Sequence, residues 1–172
     1  MNSLLWYLIA LAGLALAVRA IVRLRRYHMA FTAHGITLTI SPDDTFATLE
    51  TKYLDLDAKP FPSLLEFLKT NDNEGPVGLR LLAAAFGHNT NLFDDLLGKF
   101  SLNDVFNYCV AHHLPKLLRY VADKLPNNEL QTHLAKPGLP TWAAQEIGAI
   151  GRSTWEAAAK IINKNKSAIA QK

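Results

Sequence analysis

The first twenty-six residues constrain this chain more than any other stretch. From Leu4 to Val18 every residue is apolar, glycine or the amphipathic Tyr7, and after Arg19 the run resumes with Ala20, Ile21 and Val22. Crossing ~30 Å of hydrocarbon takes about twenty apolar residues in a helix. Ser3 to Val22 reaches that length if Arg19 snorkels its guanidinium to the interface. The run therefore predicts one N-terminal transmembrane helix. No charged side chain precedes it, whereas Arg19, Arg23, Arg25 and Arg26 follow it. Arginines beside a span are held on the cytoplasmic side, so the N-terminus is expected outside and the remaining domain in the cytoplasm. The rival is a cleavable signal peptide ending near Ala15-Leu16-Ala17. It would need a basic segment before the apolar core, and here the positive charge lies after it.

The charge is distributed in blocks. Residues 1–30 carry +4 and residues 152–172 carry +4, so the net charge of +3 leaves −5 for the middle of the chain. Most of that lies between residues 41 and 75, where eight acids face three lysines. A basic balance of this kind does not point to nucleic acid; membrane lipid accounts for the same end charges. One cysteine, Cys109, excludes an intrachain disulfide.

Beyond the anchor the pattern predicts a mainly α protein with a minor β element. We divide it into a transmembrane anchor with its basic flank (1–26), a juxtamembrane arm with a strand and a short helix (27–60), a helical hairpin domain (61–136) and C-terminal helices with a basic tail (137–172). The anchor helix is expected to continue through Ala33, with Gly35 as its left-handed cap. Ile36 to Ile40 reads Ile-Thr-Leu-Thr-Ile, strict alternation with β-branched residues, and predicts a strand. Its partner is either the alternating 53–57 segment or the edge of another subunit, which would make Ile36, Leu38 and Ile40 an interaction surface. Ser41-Pro42-Asp43-Asp44 reads as a helix start, with a hairpin turn as the alternative. Helices follow from Phe61 to Leu68, from Pro76 to Phe86, from an Asn91 cap to Leu97, from Ser101 to His112, and from Pro115 to Leu125. After Pro126 a short helix reaches Leu134, and Pro137-Gly138-Leu139-Pro140 breaks the chain before Trp142 to Ile150. Ser153-Thr154-Trp155-Glu156 opens a last helix with Trp155 on one side and Lys160 and Lys164 elsewhere, to be packed on the domain or offered to a partner.

A shift of 25 residues superposes His88 on His113, Leu92 on Leu117 and Leu96 on Val121, a helix-turn-helix unit met twice. Leu79 through Leu97, with Ala83-Ala84 and Gly87-His88, loosely resembles the helical part of an ankyrin repeat, whose stacked units bind other proteins. The spacing departs from the ankyrin period of about 33 residues and the Thr-Pro-Leu-His start is missing, so we do not assign the family.

The one grouping with ligand chemistry is Cys109 with His112 and His113 one helical turn away, approached by His88 through the repeat. Cys109 as a small core residue is the simpler reading. No phosphate loop, dinucleotide fingerprint or nucleophile elbow is present. No enzyme activity and no cofactor are expected. The expected function is that of a membrane-anchored interaction or assembly subunit of a larger membrane complex, partnered by other subunits or by further copies of itself. The alternative is a metal-binding sensor or enzyme using Cys109 and His113.

Overall fold

The computed structural model describes Leu11, residues 13–19 and residues 28–151. The described residues before the first strand, Leu11 and Gly13–Arg19, are helical and exposed. Among the described residues no helix is long and apolar enough to cross a membrane. This overturns the expected transmembrane anchor, and with it the single-pass localisation with the N-terminus outside and a cytoplasmic domain. A span needs a continuous helix of about twenty apolar residues, and no helix among the described residues supplies one. Arg23, Arg25 and Arg26 lie outside the described residues, as do Trp155, Lys160, Lys164 and the rest of the expected last helix.

The mainly helical composition with a minor sheet is confirmed. The chain divides into two compact units, the first reaching Asp95 and the second beginning at Leu96, a division inside the 61–136 segment. In the first unit β1 (Met29–Ala33) pairs antiparallel with β2 (Ile36–Ile40), Ala33 opposite Ile36. Ile36–Ile40 is thus the strand its alternation predicted. Its partner is neither the 53–57 segment nor the edge of another subunit but the stretch read as the end of a helix. Met29–Ala33 alternates too, burying Phe31 and Ala33 on the side where Leu38 and Ile40 are buried. His34 and Gly35 both have positive φ (49° and 75°), as a two-residue turn with the right-handed twist of a hairpin requires. Gly35 therefore has the predicted backbone region in a different role.

Ser41 to Asp44 is a turn, closed by the Asp44 N–H on the Ser41 carbonyl at 3.1 Å. The helix that follows, α1 (Phe46–Leu54), starts at Thr45, whose side chain and that of Thr48 form a reciprocal capping box. Tyr53 and Leu54 are helical, which removes the second strand candidate. Next come α2 (Leu64–Leu68), a short hairpin of β3 (Asn71–Asp72) with β4 (Gly75–Pro76), α3 (Val77–Ala85) and α4 (Thr90–Leu97). Leu49, Tyr53, Leu64, Phe67, Leu81 and Leu82 are fully buried in this unit's core. Tyr53 stacks on Phe67 at 5.2 Å, and its hydroxyl both donates to the Phe61 carbonyl (2.9 Å) and accepts from the Phe61 N–H (3.1 Å). Tyr53→Phe leaves both backbone groups to find other partners and is expected to cost about 1.5 kcal/mol, read as a lower urea midpoint at unchanged slope.

The second unit contains α5 (Leu102–Ala111), α6 (Pro115–Lys124), α7 (Asn127–Ala135) and α8 (Thr141–Gly148). The sequence signals hold closely here. Ser101 caps α5 through the Asp104 N–H, and Pro115 occupies the first turn of α6. α6 packs against both α5 and α8. Val105, Phe106, Cys109, Leu118, Val121, Ala143 and Ile147 form its core, each at most 1% exposed.

Candidate functional site

The chemistry-bearing residues brought together in the first unit lie along the open edge of β1. Across a two-residue turn the flanking pair is hydrogen-bonded and the pairs then alternate, so Ala30 and Thr32 on β1, and Thr37 and Thr39 on β2, point their N–H and C=O groups away from the partner strand. Two cations cover part of these edges. Arg80 Nη2 donates to the Thr32 carbonyl at 3.3 Å, and Lys52 Nζ to the Thr39 carbonyl at 3.2 Å. Basic side chains on an edge are a common guard against unwanted strand pairing. Among the described residues no acceptor meets the outward N–H groups of Ala30 and Thr32.

Beside the β1 edge runs a groove of about 670 Å³. Its lining takes in six consecutive residues, Ala30 to Gly35, and on the other side Asn71 to Glu74 with Arg80. Four of these, Ala30 to Ala33, are consecutive residues of β1, so the strand presents its edge to the groove rather than one face. The far wall is acidic. Arg80 spans the groove, with Nη1 on Asp72 Oδ2 at 2.5 Å, Nη2 on Glu74, and the guanidinium carbon 5.4 Å from the centre of the Phe31 ring. Burial alone would raise the Asp72 carboxyl, but the Glu74 N–H and Arg80 hold it below the usual carboxylate range. His34 closes the turn end of the groove. Thr70 spends its only hydroxyl proton on the Phe67 carbonyl at 2.7 Å, so the 2.9 Å contact with His34 has Nε2–H as donor. The imidazole also sits edge-on to Phe61 and Phe67.

The strand residues named as an interaction surface have another role. Leu38 and Ile40 are each 2% exposed and Ile36 is half-buried, so these side chains serve the core while the hairpin shows threonines and an edge outward. The alternation revealed the strand. It could not reveal which backbone groups would be left over, because that depends on the partner.

The cysteine and histidine grouping is not assembled. Cys109 is buried without exposure, and burial raises its thiol to about 12, so it stays protonated and is a poor metal ligand. His112 and His113 are exposed, His112 stacked on Tyr108 at 4.1 Å and His113 against Trp142 at 4.3 Å. His113 has φ 53° and ends the turn after α5, a conformational role. His88 lines a separate cavity of about 190 Å³ with Met29, Ile40, Ser41 and Asn89. Among the described residues no group of three His, Cys, Asp or Glu side chains is placed to hold a metal ion. Comparison with protein-family models, with curated proteins and with solved structures gives no match.

Proposed function

We propose that this chain is a non-enzymatic interaction or assembly subunit whose first unit takes an extended, basic segment of another protein along the edge of β1. The observation that carries the reading is the outward backbone of Ala30 and Thr32 bordering a groove walled by Asp72 and Glu74. An added strand would draw its affinity from main-chain hydrogen bonds and its specificity from alternate side chains reaching the far wall. Charge supports a basic occupant, since residues 28–95 hold ten acids against four lysines and arginines. A second copy of the chain is the other candidate partner.

Ala30→Pro tests the reading. It removes an outward N–H without touching a hydrogen bond of the hairpin, and proline is tolerated at such edge positions. Glu74→Lys reverses the charge of a largely exposed side chain (70%) on the far wall. Gently purified wild-type chain is expected to bring down a stoichiometric partner, or to sediment as an oligomer. Both variants are expected to lose at least about tenfold in that association, an effect of about 1.4 kcal/mol. A monomer without partners, or an association indifferent to both changes, would sink the proposal.

A further inference from the structure

One guanidinium stands where a strand laid along β1 would pair. Arg80 is the only lysine or arginine among the described residues that line the groove, and it reaches in from α3. Its two terminal nitrogens have different tasks. Nη1 is committed to Asp72 Oδ2 at 2.5 Å, whereas Nη2 is divided between Glu74 and the Thr32 carbonyl, the latter at 3.3 Å. That carbonyl is one of the outward groups an added strand needs, because a strand on this edge pairs through Ala30 and Thr32. Arg80 thus fills two places that an incoming basic strand would take: the donor on Thr32 and the cation beside Glu74.

These contacts differ in how readily they are given up. The bond to Thr32 is longer than a usual N–H···O bond, and the Phe31 ring centre, 5.4 Å from the guanidinium carbon, is near the outer limit of a cation–π contact. The Glu74 side chain is 70% exposed, so water replaces Arg80 there at little cost. Asp72 is 13% exposed, and its other oxygen keeps the Glu74 N–H at 2.9 Å wherever Arg80 points. Nη2 can therefore leave the strand while Nη1 holds Asp72. We propose, resting on the strand-addition reading above, that Arg80 is a placeholder that keeps the β1 edge closed and yields to a strand carrying a basic side chain. A neutral strand supplies an N–H for Thr32 but no cation for Glu74. An acidic strand meets Asp72 and Glu74 as like charges. A lysine-bearing strand replaces both functions of Nη2.

The test titrates the full chain with short peptides in which valine alternates with lysine, threonine or glutamate, so that the variable side chains share one face. Wild type is expected to bind the lysine peptide best and the glutamate peptide least. Arg80→Gln frees the Thr32 carbonyl and leaves Glu74 without its cation, and is expected to bind the lysine peptide about tenfold more tightly than wild type. Arg80→Lys keeps the charge but loses the planar fork that spans Asp72, Glu74 and Thr32, and is expected to bind the threonine peptide severalfold more tightly than wild type. Retained amide protection at Leu81 and Leu82 certifies the fold of each variant; should Arg80→Gln lose it, Arg80→Lys carries the test. Adding Ala30→Pro is expected to abolish both gains. Gains that survive Ala30→Pro would place the peptide elsewhere and overturn the strand-addition reading itself. Binding that Ala30→Pro removes but that the Arg80 variants leave unchanged or weaken, or equal affinity for all the peptides, would overturn the placeholder while the edge reading stands. No binding by wild type or variants would overturn both.

Discussion

Asn89→Ala is expected to destabilise the first unit by about 3 kcal/mol, more than its single missing side chain would imply. Asn89 is 2% exposed and uses its whole carboxamide. Nδ2 donates to the carbonyls of Ser41 (2.7 Å) and Asp44 (2.8 Å), and Oδ1 accepts from the Leu92 N–H at 2.9 Å. Alanine takes the side-chain partner from the Asp44 carbonyl and the Leu92 N–H, while the Ser41 carbonyl keeps the Asp44 N–H. The measurement is amide hydrogen exchange in the full chain, with faster exchange expected at Leu92 and Phe93. Asn89→Asp separates two roles. Aspartate is as good a helix cap as asparagine, so a residue that merely capped α4 would be rescued by it. Here a carboxylate would face two carbonyl oxygens, and Asn89→Asp is expected to be at least as damaging as alanine.

Asp44→Ala is expected to cost about 2–3 kcal/mol at neutral pH. The carboxylate accepts from the Ser41 N–H at 2.6 Å, from Thr48, and from Lys52 Nζ at 2.6 Å, while Lys52 also reaches the Thr39 carbonyl on the edge of β2. The Lys52 side chain is 40% exposed and can rehydrate, which keeps the cost below that of breaking a fully buried pair. Burial by itself would raise the Asp44 carboxyl, but Lys52, the Ser41 N–H and Thr48 hold it below 3.8. The unfolded chain therefore binds the proton first as pH falls. The stabilisation is complete above about pH 4 and is lost as pH drops through the lowered folded value. Wild type and Asp44→Ala should accordingly differ most at neutral pH and converge as the pH falls below the lowered folded value, a trend that equilibrium urea titrations check. Asn89 and Asp44 hold the same turn, so the double variant is expected to cost less than the sum of the two single changes.

The second unit was largely legible in the sequence. Ser101, Pro115, Pro126 and the Pro137 to Pro140 cluster are local signals, and local chemistry decides where α5, α6, α7 and α8 begin. Asn91 was the wrong cap by two residues, because Asn89 is chosen by the carbonyls of Ser41 and Asp44, far away in sequence. The hydrogen bonds that join His133 to Asn103 and Asn103 to Glu129 are not legible in the sequence for a related reason. Asn103, Glu129 and His133 lie on two helices, and nothing in their spacing marks them as one chain of hydrogen bonds.

Ile36 to Ile40 was a strand by its alternation alone, since one buried face requires a period of two. Its partner was a different matter. Residues 29–33 follow a long apolar run and were read as its continuation, although Phe31 and Ala33 carry the same alternation. Pairing across His34-Gly35 buries Phe31 and Ala33 with Leu38 and Ile40, a gain that exists only once both strands are in place. The opening stretch shows the same division. Composition made its apolar character plain, yet a membrane span is a property of a continuous helix of sufficient length, and no helix among the described residues has it. Residue type and local order thus determine where most elements start and stop. Which edge is left open and which carbonyls need a donor follow from long-range packing, because each depends on groups brought together only by the folded chain.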